Sequence, residues 1–455
     1  MLVVGDLLMS ALALFGGLYF WASAVEEGVT MTFVEFLRVR PPLWFFLLPI
    51  FWVVLLTQTY DLRRAASWRR TFSGLAVAAL IGMGFYTLVY FTSDPGSLPR
   101  RGVAAFAAAA WVLTLLWRFI YIRIFTGPQF VRRAVMVGAG RAGVAMTQVI
   151  QDIRPAPFHL IGFVDDDPAK QGKEIQGLQV LGGSEVLPGL VENEELSDIL
   201  VAITGRIRED MFAALLDAQE QGVEIIRMPV AYEELLDRVP IHHLEADWML
   251  RSFVDEARVN RFYELAKRFL DLVGGLLGVA ILILLSPVII LGTLLDTGFP
   301  LTYVQTRAGK GGHPYRIIKF RTMIPDAEKD GNPVLAQEDD VRTTRWGRFL
   351  RKTRLDEWPQ FINVLAGDMS LVGPRPERPE LVEHFEELIP FYRARLLAKP
   401  GITGWAQVNF SYASNIEDMA VKLEYDLYYI KRRSIMLDLL IILRTTATVF
   451  GFRGR

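Results

Sequence analysis

Residues 269–295, FLDLVGGLLGVAILILLSPVIILGTLL, decide how the rest of the chain is read. The stretch is long enough for a helix that crosses a bilayer, which needs about 20 apolar residues. Its flanks argue against crossing. Arg258, Arg261, Lys267 and Arg268 precede it, and Arg307, Lys310, Arg316, Lys319 and Arg321 follow it, so both ends carry the basic excess of a cytoplasmic side. Ser286-Pro287 lies inside it. Proline lacks an amide hydrogen and crowds the preceding turn. The carbonyl it frees needs a partner at that depth, which a serine hydroxyl can supply. The expectation is a helix, a break at Ser286 and Pro287, and a second helix, entering and leaving by one face. A plain fifth span with a mild kink is the alternative, and it would carry the remaining chain to the far side of the membrane.

The chain has 455 residues, which predicts two or three units. Hydrophobic residues make up 52% and mean hydropathy is positive, a composition that points to membrane spans. The net charge of −1 gives no global nucleic-acid signature. The absence of cysteine excludes disulfides, thiol catalysis and thiolate metal sites, and none of the five histidines stands at helical zinc spacing. The first apolar stretch runs on into more of the same, so no cleavable signal is expected.

Four apolar spans are predicted at about 2–24, 43–57, 72–92 and 103–125, the second being the weakest. Arg63, Arg64, Arg69 and Arg70 follow span two, and Arg118, Arg123, Arg132 and Arg133 close or follow span four. Glu26, Glu27 and Glu35 follow span one. This asymmetry places the basic segments, and everything after Arg133, in the cytoplasm, with Arg100 and Arg101 dissenting.

From about 134 to 254, short β-branched runs alternate with helical stretches, which predicts a parallel α/β domain. Gly138-x-Gly140-x-x-Gly143 follows the first run, and Asp165 lies about 20 residues on, as in dinucleotide binders. Tyr263-Glu-Leu-Ala-Lys267 spells the Tyr-x-x-x-Lys of short-chain dehydrogenases. A membrane-anchored NAD-dependent nucleotide-sugar dehydratase or epimerase is therefore the rival reading, although Tyr263 falls outside the α/β region. A degenerate structural or regulatory domain explains the glycines and stands ahead of functional NAD binding.

The densest signal follows. Arg342, Arg345, Arg348 and Arg351 recur every three residues and can share a helix face, as phosphate binders or as a solvated face against anionic headgroups. Arg354-Leu355-Asp356-Glu357 comes next. A carboxylate can attack phosphorus and hold a phosphoryl group, or can ligate Mg²⁺. Adjacent acids are also common at helix starts, and on spacing alone that plainer role stands ahead. Pro374 and Pro376 stiffen a loop that presents Arg375, and a further Gly/Pro loop runs from Pro400 to Gly404.

Four ordered motifs resemble the bacterial sugar transferases, the polyprenyl-phosphate hexose-1-phosphate transferases of exopolysaccharide and O-antigen assembly. They are Lys319-Phe-Arg-Thr-Met323, Leu355-Asp-Glu-Trp-Pro-Gln360, Gly367-Asp-Met-Ser-Leu-Val-Gly-Pro-Arg-Pro-Glu377 and Pro400-Gly-Ile-Thr-Gly-Trp-Ala-Gln-Val408. The resemblance covers about the last 190 residues, and the whole layout resembles the large members of that family. It implies a fold in three parts: a four-helix transmembrane bundle over 1–126, a Rossmann-like parallel α/β domain over 132–255, and a mostly helical catalytic domain over 260–455 with a re-entrant helix at about 267–295. It implies Asp356 as nucleophile, forming an aspartyl-phosphosugar and releasing UMP, with Glu357 as its partner. Asp356 would also bind Mg²⁺. Lys319, Arg321, Arg351, Arg354, Arg375, Gln407 and Asp426 would hold substrate, and Ser286 and Pro287 would mark the helix break. The implied partners are a UDP-sugar donor, polyprenyl phosphate and membrane lipid, with no nucleic acid; a homodimer is left open. The implied location is the bacterial inner membrane, multi-pass, with the catalytic domain cytoplasmic. Many relatives carry Gly-Arg-Asn soon after the Gln-Val pair, whereas Asn409-Phe410-Ser411-Tyr412 has no arginine.

Overall fold

A computed structural model describes residues 1–23, 32–56, 59–60, 68–92, 100–125, 132–153, 156–244, 248, 252–253, 261–324, 342–410 and 415–449. Glu26, Glu27, Arg63, Arg64, Arg258, Ser411 and Tyr412 lie outside them. Contacts divide the chain into two compact units, Met1–Ala134 with Ile150–Ile161, and Val135–Val149 with Gly162–Arg455.

The first unit holds helices α1 (Leu2–Ser23), α2 (Phe33–Val39), α3 (Leu48–Leu55), α4 (Trp68–Thr92) and α5 (Arg100–Phe125). Leu14, Leu18, Phe45, Leu56, Leu75 and Phe106 lie in its core. α1 and α5 are long and apolar enough to cross a membrane, whereas α4 is apolar only over Thr71–Thr87. The expected second span is a 3-10 turn (Leu43–Leu47) running into α3, and α2 and this segment are bent by 103°. Pro42 caps the turn and Pro49 opens α3, so amide donors are missing where a continuous helix would need them. Arg118 is fully buried, with Nη2 2.6 Å from Asp6 Oδ2 and a second bond to Thr59 Oγ1 at 3.0 Å. A charge among helices is tolerated when paired in this way. Arg118 therefore ties α5 to α1 and does not act as one of the flanking charges that set orientation.

The α/β region carries β1 (Arg132–Val137), α6 (Arg141–Asp152), β2 (Phe158–Val164), β3 (Glu174–Ile175), β4 (Leu178–Gly182), α7 (Leu187–Asn193), β5 (Asp198–Val201), α8 (Glu209–Glu220), β6 (Glu224–Arg227) and α9 (Met228–Leu236). The six strands lie in the order β3-β4-β2-β1-β5-β6, with β2–β4 and β5–β6 parallel and β3–β4 antiparallel. Gly138 has φ +104°, a conformation that favours glycine. A Cβ at Gly143 would collide with the Gly138 carbonyl.

The remaining part of the second unit opens with α10 (Arg261–Asp296), then the antiparallel pair β7 (Thr302–Ala308) and β8 (Pro314–Phe320). α11 (Arg345–Lys352), α12 (Gln360–Ala366), β9 (Ser370–Val372), α13 (Pro379–Leu388), β10 (Gly401–Thr403), α14 (Trp405–Asn409), α15 (Ile416–Arg432) and α16 (Ile435–Val449) follow. α15 is largely core, through Leu423, Leu427, Tyr429 and Ile430.

The break expected at Ser286 and Pro287 is not there: α10 is one helix of 36 residues. Proline leaves the carbonyl of Ile283 without its amide partner, and Ser286 Oγ donates to that same carbonyl at 2.9 Å. The ladder is thereby filled and the helix continues. One face of α10 exposes Phe262, Phe269, Leu276, Ile283, Leu284 and Leu295. On the other, glycines allow close approach, since a Cβ at Gly274, Gly275, Gly278 or Gly292 would run into Leu371, Leu365, Phe361 or Trp346 respectively.

Candidate active site

Four motifs distant in sequence meet behind α10. β8 brings Lys319, whose neighbour Ile318 donates its amide to Asn363 Oδ1, while Asn363 Nδ2 donates to Arg316 O at 2.8 Å. Asn363 thus sews α12 to β8 and fixes the turn before α12 relative to Lys319. That turn is a short 3-10 helix, Leu355–Glu357, with both acids in it. Arg354 precedes it in the left-handed region at φ 58°. A non-glycine residue there costs on the order of 1–3 kcal/mol, and such strain gathers at functional sites. It turns the chain sharply out of α11 and presents Asp356 and Glu357 at the turn.

The two acids are held in opposite ways. Glu357 Oε1 accepts from Lys319 Nζ at 2.8 Å and from Arg375 Nη2 at 3.0 Å. Burial alone would raise its pKa, but the charges of Arg375 and Lys319 override that and hold Glu357 well below the usual carboxylate range. Asp356, 9% exposed, has no ion pair or hydrogen bond to its carboxylate among the described residues. Burial, and then the charge of Glu357, push it up to about 6 against the pull of Lys319, Arg351 and Arg375. Asp356 is thus the open carboxylate and Glu357 the clamped one. Arg375 keeps 42% of its side chain exposed while holding Glu357, so a bound anion can reach it.

The other expected residues divide. Arg351 lies on α11, its Nε bonded to Thr322 Oγ1 at 3.0 Å, with its charge felt at Asp356. Arg345 and Arg348 are exposed, and Arg342 stands before the helix, because Thr344 caps α11 by accepting from Gly347 N; the four arginines do not share one helix face. Arg354 is exposed, and its charge is felt at Glu357. Arg321 falls one residue beyond β8 and donates to Phe299 O at 3.4 Å, so the structure does not bring it to the acids. Gln407 Nε2 donates to Ile402 O, leaving Oε1 buried without a partner. Asp426 is 2% exposed and paired with Arg395 at 2.9 Å. Arg444, on α16, donates to Asn409 Oδ1 at 3.0 Å and lies over the Trp405 ring.

Sequence reading missed Asn363 and Arg395. Asn363 falls inside an apolar helix, where nothing marks its side chain as reaching two backbone groups. Arg395 sits in Tyr392-Arg-Ala-Arg-Leu-Leu397, which reads as a solvated basic run. No group of three or more His, Asp or Glu residues is placed to hold a metal ion among the described residues. Mg²⁺ needs no such cluster, since one or two carboxylates with substrate phosphates and water complete its sphere. Asp356, a hard oxygen donor without a cation of its own, fits that role.

A profile described as bacterial sugar transferase matches residues 262–452, and one described as CoA-binding domain matches 56–229. An N-acetylgalactosaminephosphotransferase from Aeromonas hydrophila, named as acting on UDP-N-acetylgalactosamine and undecaprenyl phosphate, is 38% identical over 56% of this chain and 60% of its own length. A UDP-glucose:undecaprenyl-phosphate glucose-1-phosphate transferase from Xanthomonas campestris is 29% identical over 70% of this chain and 67% of its own. One of the same name from Caulobacter vibrioides is 42% identical over 41% of this chain and 70% of its own. The chain therefore spans less than two thirds of the first of these relatives. A solved UDP-D-quinovosamine 4-dehydrogenase from Vibrio fischeri resembles 23% of the chain and 82% of its own at 22% identity with a TM-score of 0.20, a likeness that carries no argument. With the matched profile lying over α10, the acidic turn and the Arg375 loop, this chain belongs to the bacterial sugar transferase family.

Proposed function

We propose that the protein transfers a sugar-1-phosphate from a UDP-sugar to polyprenyl phosphate through Asp356. The observation that carries this is the asymmetry of the acidic turn: one carboxylate buried and open, its neighbour neutralised by two cations. An Asp356 oxygen attacks the phosphorus bearing the sugar, the bond to the bridging oxygen breaks, and UMP leaves with the electron pair. A phosphate oxygen of the lipid then attacks the same phosphorus, freeing Asp356 and giving polyprenyl diphosphate sugar. Such transfers need alignment and charge neutralisation more than a strong base. Arg375 and Arg351 supply fixed positive charge beside the attacking oxygen. Lys319 and Arg375 hold Glu357 ionised, so it takes no proton from its neighbour. Mg²⁺, held by Asp356 and the diphosphate, would offset charge as UMP leaves.

The acceptor is a lipid, and α10 supplies the surface for it. Lys267, near one end, donates to Val372 O, and Thr293, near the other, accepts from Trp346 Nε1, so elements of one compact unit pack along the helix. α10 is long and apolar enough to cross a membrane, and the packing along one face supports its instead entering the cytoplasmic leaflet of the bacterial inner membrane by its exposed apolar face, with the site on the cytoplasmic side, where proximity to the lipid phosphate is greatest.

The geometry supports oxidoreductase chemistry less. Tyr263 and Lys267 are both bonded to Asp438, and Lys267 also to Tyr429, a closed network in the core. The relatives' names differ in the sugar, so the test is a panel of UDP-sugars with polyprenyl phosphate. At least one is expected to release UMP and to leave a phosphosugar on the wild-type protein that Asp356→Asn does not carry. UMP release undiminished by that substitution would sink the covalent mechanism.

A further inference from the structure

The loop that presents Arg375 is held at every carbonyl. Pro374 O accepts from Gly401 N at 2.9 Å, Arg375 O from Arg395 Nη2 at 3.1 Å, Pro376 O from Arg307 Nη1 at 3.3 Å, and Glu377 O from Ala308 N at 2.9 Å. Two of the donors are backbone amides of neighbouring strands. Arg395 is different, because it joins the loop to another expected site residue. The same Nη2 donates to Asp426 Oδ2 at 2.9 Å, and Nη1 donates to the Tyr392 hydroxyl at 2.6 Å and lies 3.8 Å from Glu377 Oε1. Arg395 is 5% exposed, so neither it nor Asp426 offers a surface to a substrate.

We infer that Arg395 and Asp426 are positioning residues for Arg375: together they fix the main chain of the loop so that the Arg375 guanidinium stands on Glu357 before any donor arrives. The inference rests on the transfer reading above and reassigns Asp426 from substrate contact to support. A guanidinium uses its planar fork to hold two acceptors at once, here a carboxylate and a carbonyl, and a lysine cannot copy that geometry. Without Asp426, Arg395 becomes a buried charge lacking its principal counter-ion, and its hold on Arg375 O loosens. Arg375 then drifts from Glu357 and from Asp356. The charged groups around Asp356 are Glu357, Lys319, Arg351 and Arg375, and those around Asp426 are Arg395, Glu377 and Lys422.

The test is a double-mutant cycle on kcat/KM for UMP release. Asp426→Asn is expected to lower kcat/KM by roughly 10- to 100-fold. In an Arg375→Ala background the same change is expected to cost less than about threefold. Equal losses in both backgrounds would overturn the inference and show a merely structural role. Arg395→Lys, which keeps the charge and loses the fork, is the second variant should Asp426→Asn fail to fold, and the same outcomes apply. Hydrogen exchange of the Gly401 and Ala308 amides, which donate to Pro374 O and Glu377 O, gives an answer without turnover. Exchange roughly tenfold faster in either variant is expected, and unchanged exchange overturns the inference. If the wild type releases no UMP from any UDP-sugar, the transfer reading fails and exchange alone decides the positioning role.

Discussion

Asp165 and Asp356 each stand where a motif leads one to expect an acid that meets a ligand, and the protein treats them differently. Asp165 follows the glycine fingerprint at the end of β2. Its Oδ2 accepts from Ala139 N at 2.8 Å and from Lys170 Nζ at 2.9 Å, and its Oδ1 from Asp167 N at 2.9 Å. The acid that a dinucleotide binder would offer to a ribose is thus already bonded to the glycine loop itself. Gly138 and Gly143 are explained by a positive φ and by close packing, without a phosphate. Asp356 is instead buried with its carboxylate open, while Lys319 and Arg375 converge on Glu357 beside it. A motif fixes residue types in order; whether a side chain is free depends on what the rest of the fold bonds to it.

The largest expected effect tests the open acid. Asp356→Asn removes the proposed nucleophile and adds no bulk, and the loss of UMP release should be on the order of 10⁴-fold or more, the scale seen when a covalent catalyst is deleted. A loss under tenfold would put Asp356 beside the chemistry and not in it.

Glu357→Gln is expected to cost about 10²-fold, because Lys319 and Arg375 lose the charge that holds them. Its pH dependence is the sharper readout. Asp356 must be ionised to attack, and its pKa of about 6 makes wild-type kcat/KM fall as pH drops through that value. The Glu357 charge raises that pKa, so neutralising it should move the acid limb to lower pH even as the maximum falls. A limb moved upward would show that Glu357 acts by holding the cations near Asp356 more than by its own field.

How much of this was legible follows from the kind of signal each residue carries. The acidic pair, Arg375 between its prolines and Lys319 are local patterns, and the structure brings them together at Glu357. Arg321 shares a motif with Lys319, but β8 ends at Phe320 and the side chain donates instead to Phe299 O. Arg342 matched a three-residue repeat, yet Thr344 starts α11 after it. Asp426 could be placed near the site from sequence, while its pairing with Arg395, 31 residues away, depends on the packing of α15. The second membrane segment fell short for a local reason, prolines at its start, that composition averages over. Propensity and pattern report what a segment can form; long-range hydrogen bonds decide which groups remain available.

At the filled acid, Asp165→Asn should lower the stability of the α/β region by about 1–3 kcal/mol, the cost of loosening buried partners, read as a lower midpoint of unfolding. UMP release per folded molecule should stay within about twofold of wild type, because Asp165 belongs to a loop-holding network. A drop in transfer without loss of stability would mean that the glycine loop communicates with the chemistry, and the contrast between the two acids would fail.

The smallest expected effect concerns α10, the helix proposed to bring a lipid acceptor to the open acid. Ser286→Ala leaves the Ile283 carbonyl without the hydroxyl that replaces the amide missing at Pro287. A carbonyl unbonded in lipid costs more than one in water, where solvent takes over. The backbone next to Pro287 can still adjust, so the expected penalty is about 1 kcal/mol, seen as a modest fall in thermal midpoint in detergent or nanodiscs. The useful comparison is with soluble and lipid-embedded acceptors. If α10 serves to set the lipid phosphate beside Asp356, the substitution should lower the rate with a long-chain polyprenyl phosphate more than with a short water-soluble one. Equal losses with both acceptors would mean that Ser286 supports the fold of the helix alone, and that the distance between membrane and Asp356 is set from the Lys267 end, where Lys267 grips Val372, Tyr429 and Asp438.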